Sequence, residues 1–155
     1  MSDTARESSH AGKPLLEARS CELKALALLW MEDGWRKGCS DVVERLHSSD
    51  FVDHNPAGRS PDNDGFKTGI QQLFRAFPDF LAVTDDLVID PKASSVAVRW
   101  HATGTHLGVF MGVPASEKII SFNGIEIIRI ENGKIVERWG EWNGEAILRQ
   151  LGVTA

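Results

Sequence analysis

The run FNGIEIIRIENGKIVERW, residues 122–139, decides how this chain of 155 residues folds. At its centre Glu131-Asn132-Gly133-Lys134 joins two β-rich segments. Asn-Gly favours a two-residue hairpin, because both central residues of that turn need positive φ. The run therefore predicts two antiparallel neighbours meeting at residues 132–133. Two more β-rich runs precede it, FLAVTDDLVID (80–90) and SSVAVRWHATGTH, with PKAS between them and LGVFMGVPASE (107–117) after. Four strands in a meander are expected beyond Pro78.

Helical patterning fills the first half. Leu16, Leu23, Leu26, Ala27, Trp30 and Met31 recur at helical spacing, predicting one long helix from Leu15 to about Lys37. A second helix is expected in CSDVVERLHSSD (39–50), with Ser40 as N-cap and Val42, Val43 and Leu46 inward. DFVDHNP (50–56) reads as a short strand stopped by Pro56, since proline donates nothing to a ladder. AGRSPDNDG (57–65) is a loop, and a third helix over Gly65–Phe77 turns Phe66, Ile70, Leu73, Phe74 and Phe77 inward. Residues 1–13 read as a disordered leader and 14–155 as one domain. The fold class is α+β, with helices on one face of a curved antiparallel sheet.

Composition narrows the function. The chain is 42% apolar and 25% charged, with a net charge of −5. No basic stripe suited to nucleic acid appears. The longest apolar run, Ala25–Met31, is too short to span a bilayer. The opening MSDTARESSHAGKP lacks the basic start and apolar run of a secretory signal, and Cys21 and Cys39 form no disulfide framework. A cytoplasmic protein is expected. His10, His47, His54, His101 and His106 fall into no metal-ligand spacing, and no phosphate-loop, dinucleotide or nucleophile-elbow motif is present.

Five segments in order resemble one family: DFVDHNP, FRAFPDF (74–80), VAVRWHATGTHLGVFMGVPAS (96–116), FNGIEIIRIENGKIVERW and LRQLG (148–152). The chain resembles the SnoaL-like polyketide (ester) cyclases of the nuclear-transport-factor-like, or ketosteroid-isomerase-like, superfamily. The resemblance implies a cone-shaped barrel: a strongly bent sheet around three N-terminal helices, with a pocket at the open end. It implies aldol ring closure without metal or cofactor, by a carboxylate base in an apolar cavity. It also implies a homodimer through the outer sheet face. Relatives carry an acid on the closing strand near the positions of Gly140 or Asn143, and this chain has none at either.

Candidates for the base are therefore Glu126 first and Glu141 second, with Asn143 and His54 as hydrogen-bond donors. Glu126 stands between Ile125 and Ile127 and reads either as a pocket group or as an edge charge. His54 reads either as a group at the cavity mouth or as one bonded to its own loop, with Asp53 facing the other way. His106 reads as a structural residue. If Trp100 faces the cone, as Val96 and Val98 suggest, Arg99 and His101 lie outside. Five tryptophans without a tyrosine suit an aromatic ligand: Trp100, Trp139 and Trp142 are expected as walls, with Phe122 and Phe77 beside them. Trp30 and Trp35 are expected as core and lid.

The leading expectation is a cofactor-free enzyme for cyclisation, isomerisation or hydration/dehydration of a hydrophobic or aromatic oxygenated molecule. Its rival is a ligand-binding or dimerisation module of the same fold that has lost the acid. A transport adaptor is a third reading, which needs a large exposed apolar patch.

Overall fold

The computed structural model describes the backbone of residues 4–153 and the side chains of residues 12–153. The expected leader falls partly outside, at residues 1–3. From Thr4 the backbone is helical, and helix α1 (Thr4–Trp30) runs through Pro14. It continues as a π-helical segment, Met31–Arg36. An i→i+5 ladder brings residues five apart towards one side. Trp30 and Trp35 accordingly meet edge to face at 5.9 Å.

Helix α2 is one turn, Val42–Leu46, and strand β1 (His47–Asp53) starts earlier than expected. Phe51, Asp53 and His47 of β1 turn inward and are buried, which draws the chain into the sheet from His47 onward. The N-cap of α2 is Asp41 rather than Ser40, and its side chain makes no capping bond. Helix α3 spans Asn63–Ala76, two residues longer at its start because the Asp62 side chain accepts from Gly65 N at 2.9 Å.

Strands β2 (Leu81–Asp90), β3 (Ser95–Thr105), β4 (Ile119–Glu131) and β5 (Lys134–Trp142) form the predicted meander, followed by helix α4 (Gly144–Gln150). The β4–β5 hairpin turns at Asn132 and Gly133, both at positive φ. Strand order is β1-β5-β4-β3-β2, with β1 parallel to β5. This is the predicted α+β cone architecture, with two differences: the β1–β5 pair makes the sheet mixed rather than wholly antiparallel, and the sheet stays open rather than closing into a barrel.

Alternation sorts the two faces. On β3, Val96, Val98, Trp100 and Ala102 are buried, and Arg99 and His101 face outward onto Asp85. On β4, Ile120, Phe122, Glu126, Ile128 and Ile130 are buried, while Ile119, Ile125 and Ile127 are exposed. Strand β5 changes phase. Ile130 pairs with Ile135 but Arg129 pairs with Glu137, so Val136 is an extra residue in β5. Such a bulge flips every later side chain. Ile135 is inside, and beyond the bulge Arg138, Gly140 and Trp142 take the inner face.

Candidate active site

Three strands bring a charged group each to one buried point. Arg138 of β5 donates from Nε to Glu126 Oε2 of β4 at 2.7 Å, and from Nη1 to Asp53 Oδ1 of β1 at 2.9 Å. Burial opposes the charge of Arg138, but Glu126 and then Asp53 outweigh it and raise its pKa above the usual arginine value. Its guanidinium carbon also lies 5.5 Å from the Phe66 ring centre and 6.0 Å from that of Trp35. Asp53 Oδ1 accepts from Asn55 N as well, and Arg59 Nη2 stands 4.0 Å from Asp53 Oδ2.

The triad forms part of the wall of a cavity of about 410 Å3. Trp35 comes from the π-helical segment, Asn55 and Arg59 from the β1–α3 loop, and Leu73 from α3. Phe80 precedes β2, and Trp100, Glu126, Gly140 and Trp142 come from the sheet. Phe110 and Met111, from the β3–β4 connection, complete it. The wall is mostly apolar, with its charges concentrated around Arg138, an arrangement typical of small-molecule sites.

Two glycines shape the inner sheet. A Cβ on Gly140 would collide with the Arg138 guanidinium, which lies over the Gly140 α-carbon. A Cβ on Gly124 would come within 2.6 Å of the Trp100 ring, which lies across β4. Gly140 pairs with Glu126 across the β4–β5 ladder, so the guanidinium fills the space beside that carboxylate. Arg138 Nη2 and Glu126 Oε1 take no hydrogen-bond partner among the described residues, and neither is sealed off from the cavity. The indole Nε1 atoms of Trp35 and Trp100 are buried without a partner among the described residues.

Of the residues singled out in the sequence, Glu126, Glu141, Trp100 and Trp142 are at this cavity. Glu141 is on the outward phase of β5 and exposed, and its Oε1 accepts from Asn55 Nδ2 at 2.8 Å. Asn55 Oδ1 accepts from Gly140 N at 3.1 Å, which straps the β1–α3 loop to β5.

Five expected site positions are corrected: His54, Trp139, Asn143, Phe77 and Phe122. His54 stacks on Trp139 on the outer face, with ring centres 4.5 Å apart, and bonds Glu137 at 3.2 Å. Asp53, not His54, points inward, because β1 runs parallel to β5 with His47, Phe51 and Asp53 on the inner phase. Trp139 is 38% exposed on the outer face, as the bulge at Val136 requires. Asn143 caps α4, its Oδ1 accepting from Ala146 N at 3.0 Å. Phe77 and Phe122 pack edge to face at 5.0 Å in the core, with Phe110 and Trp142 packed against Phe122 on the cavity side. His106 is buried and bonds Ser116 Oγ at 2.9 Å.

Arg138, Asp53 and Asn55 also line or support this site, and no local sequence signal marks them. Arg138 has the opposite parity to Ile135, and only the bulge brings both inside. Among the described residues no group of three or more His, Cys, Asp and Glu comes together to hold a metal, and no helix is long and apolar enough to cross a membrane.

The sheet and helices thus enclose an apolar cavity of small-molecule size, with a carboxylate–guanidinium pair in its wall. The chain belongs to the SnoaL-like polyketide cyclase family, whose model it matches over residues 25–151. It is 30% identical to the aklanonic acid methyl ester cyclase DnrD of Streptomyces peucetius, over 72% of this chain and 78% of that one. Among solved structures it resembles AclR of Streptomyces galilaeus, a hydroxylase candidate, at 28% identity and TM-score 0.75, over 86% of this chain and 97% of that one. It also resembles IdmH of Streptomyces antibioticus, a polyketide cyclase candidate, at 29% identity and TM-score 0.67, over 81% and 96%.

Proposed function

We propose that this chain is a cofactor-independent cyclase for an apolar, oxygenated polyketide, with Glu126 as its general base. The observation that carries this reading is Glu126 at the wall of an apolar cavity, with only its Oε2 hydrogen-bonded among the described residues. A fixed carboxylate removes a proton from a carbon beside a carbonyl, and the electron pair moves into the enolate. The enolate carbon then attacks a second carbonyl of the same molecule, forming a C–C bond, and the new alkoxide takes back the proton. Atoms balance without a co-reactant. Glu141, exposed at the rim and bonded to Asn55, is the second candidate for proton transfer.

The named substrate of the curated relatives, aklanonic acid methyl ester, is the first compound to assay. Wild-type protein is expected to convert it to a cyclised product of unchanged mass, resolved by chromatography, and Glu126→Gln to lose at least about a hundredfold in rate. Turnover by Glu126→Gln at the wild-type rate would remove Glu126 from the mechanism.

A second reading, a binding module without catalysis, is favoured by the Arg138 guanidinium, which fills the space over Gly140. It predicts binding of the ester in the cavity with no product. We also propose a homodimer through the outer sheet face, where Ile125, Ile127 and Trp139 are 53%, 42% and 38% exposed. A cytoplasmic setting is proposed from the free thiols of Cys21 and Cys39.

A further inference from the structure

We propose that Arg138 is a catalytic residue in its own right: its Nη2 binds the substrate oxygen on which charge develops while Glu126 Oε1 takes the proton. The inference rests on the reading of Glu126 as base and adds a second reacting group to it.

Three features single out Nη2. The other guanidinium nitrogens are committed, Nε to Glu126 at 2.7 Å and Nη1 to Asp53 at 2.9 Å, which fixes the direction of the third. The Phe66 and Trp35 rings flank the group and limit its movement. Gly140 is the only residue type that admits the guanidinium, since any Cβ there would collide with it. A guanidinium serving structure alone has no need of a free nitrogen over a glycine in a cavity wall.

The charge movement suits this placement. Before proton transfer the guanidinium faces a carboxylate. Afterwards Glu126 is neutral, and the electron pair of the broken C–H bond lies on the enolate oxygen. That oxygen bonds the same guanidinium, so the cation stays paired throughout. A donor fixed in advance does not have to reorganise as charge develops. Together, Nη2 and Oε1 offer one donor and one acceptor side by side. A ligand oxygen that both accepts and donates, as in a phenol or an enolised β-diketone, satisfies both.

Three probes that share one ring system test this: naphthalene, 2-methoxynaphthalene, which only accepts, and 2-naphthol, which accepts and donates. Their affinities are read from tryptophan fluorescence. Wild type is expected to bind 2-methoxynaphthalene about tenfold tighter than naphthalene, and 2-naphthol tighter still. Arg138→Lys and Gly140→Ala should each erase the preference for 2-methoxynaphthalene, with naphthalene affinity kept within about twofold. Retained naphthalene binding reports an intact cavity, and Gly140→Ala displaces the cation without removing it. A preference that survives both variants, or is absent from wild type, overturns the role of Arg138 and leaves Glu126 to be judged by the cyclisation assay. Binding of none of the probes overturns the apolar-cavity reading and this inference with it.

Discussion

Glu126 and Arg138 lie on neighbouring strands and meet at 2.7 Å because β5 carries one extra residue, Val136. Without that residue Arg138 belongs to the outer face and Glu126 is a buried charge without a counter-ion. Placement of the charge network is thus a matter of strand phase before it is one of chemistry.

The stability of the triad follows from that burial. Arg138→Leu leaves Glu126 buried without a counter-ion and Asp53 with only the Arg59 contact at 4.0 Å, and is expected to cost about 3–5 kcal/mol in urea unfolding. Asp53→Asn/Glu126→Gln/Arg138→Leu removes all three charges and should recover a clear part of that loss. A triple variant no more stable than the single one refutes this account.

Gly124 is the second test of shape. A methyl group there meets the Trp100 ring at 2.6 Å and the Glu141 carbonyl oxygen at 2.7 Å, the latter held in the β4–β5 ladder. Gly124→Ala should lower stability by about 1–3 kcal/mol. It should also shift the fluorescence of Trp100, identified by comparison with Trp100→Phe. An unchanged melting temperature contradicts the close approach.

His47 sets a pH dependence. Its Nε2 accepts from Trp30 Nε1 at 3.0 Å, so Nδ1 carries the proton and donates to Asn63 Oδ1 at 3.0 Å. Burial, with Arg138 nearby, lowers its pKa from 6.5 to about 4, against a partial upward pull from Asn63. Between those values the unfolded chain binds the proton and the folded one does not. Stability from this residue is therefore full above pH 6.5 and lost as pH falls towards about 4. The loss is about 3 kcal/mol at most. Imidazole NMR shifts of His47 that stay neutral at pH 5.5 verify the prediction, and a midpoint near 6.5 contradicts it.

The outer face carries the assembly prediction. Ile127→Lys/Trp139→Ser, both on exposed positions, should convert a dimer to a monomer in light scattering while leaving naphthalene binding unchanged. A wild-type monomer at all concentrations rules out the proposed interface.

Much of the fold was legible because its signals are local. Asn132-Gly133 specified the hairpin, and Val96, Val98 and Trp100 gave the phase of β3. On β4, Glu126 follows the parity of Phe122 and Ile128, so its inward position could be argued. The site was less legible because it depends on register between distant strands. The bulge at Val136 has no sequence mark, and it exchanges Arg138 for Trp139 on the inner face. The phase of Asp53 and His54 is open in the sequence, since β1 pairs parallel with β5 and no turn fixes that register. Asn143 looked like a pocket group, but a helix begins there and takes its side chain as a cap.

The parallel pairing of β1 with β5 has a kinetic consequence. Asp53 and Arg138 are 85 residues apart in the chain, and β2, β3 and β4 are made between them. Contacts of such long sequence separation close slowly. During synthesis, Asp53 must wait for its counter-ion until the C-terminal hairpin has left the ribosome. The buried charge network is thus completed among the last events of folding, and a truncated chain that lacks β5 never acquires it.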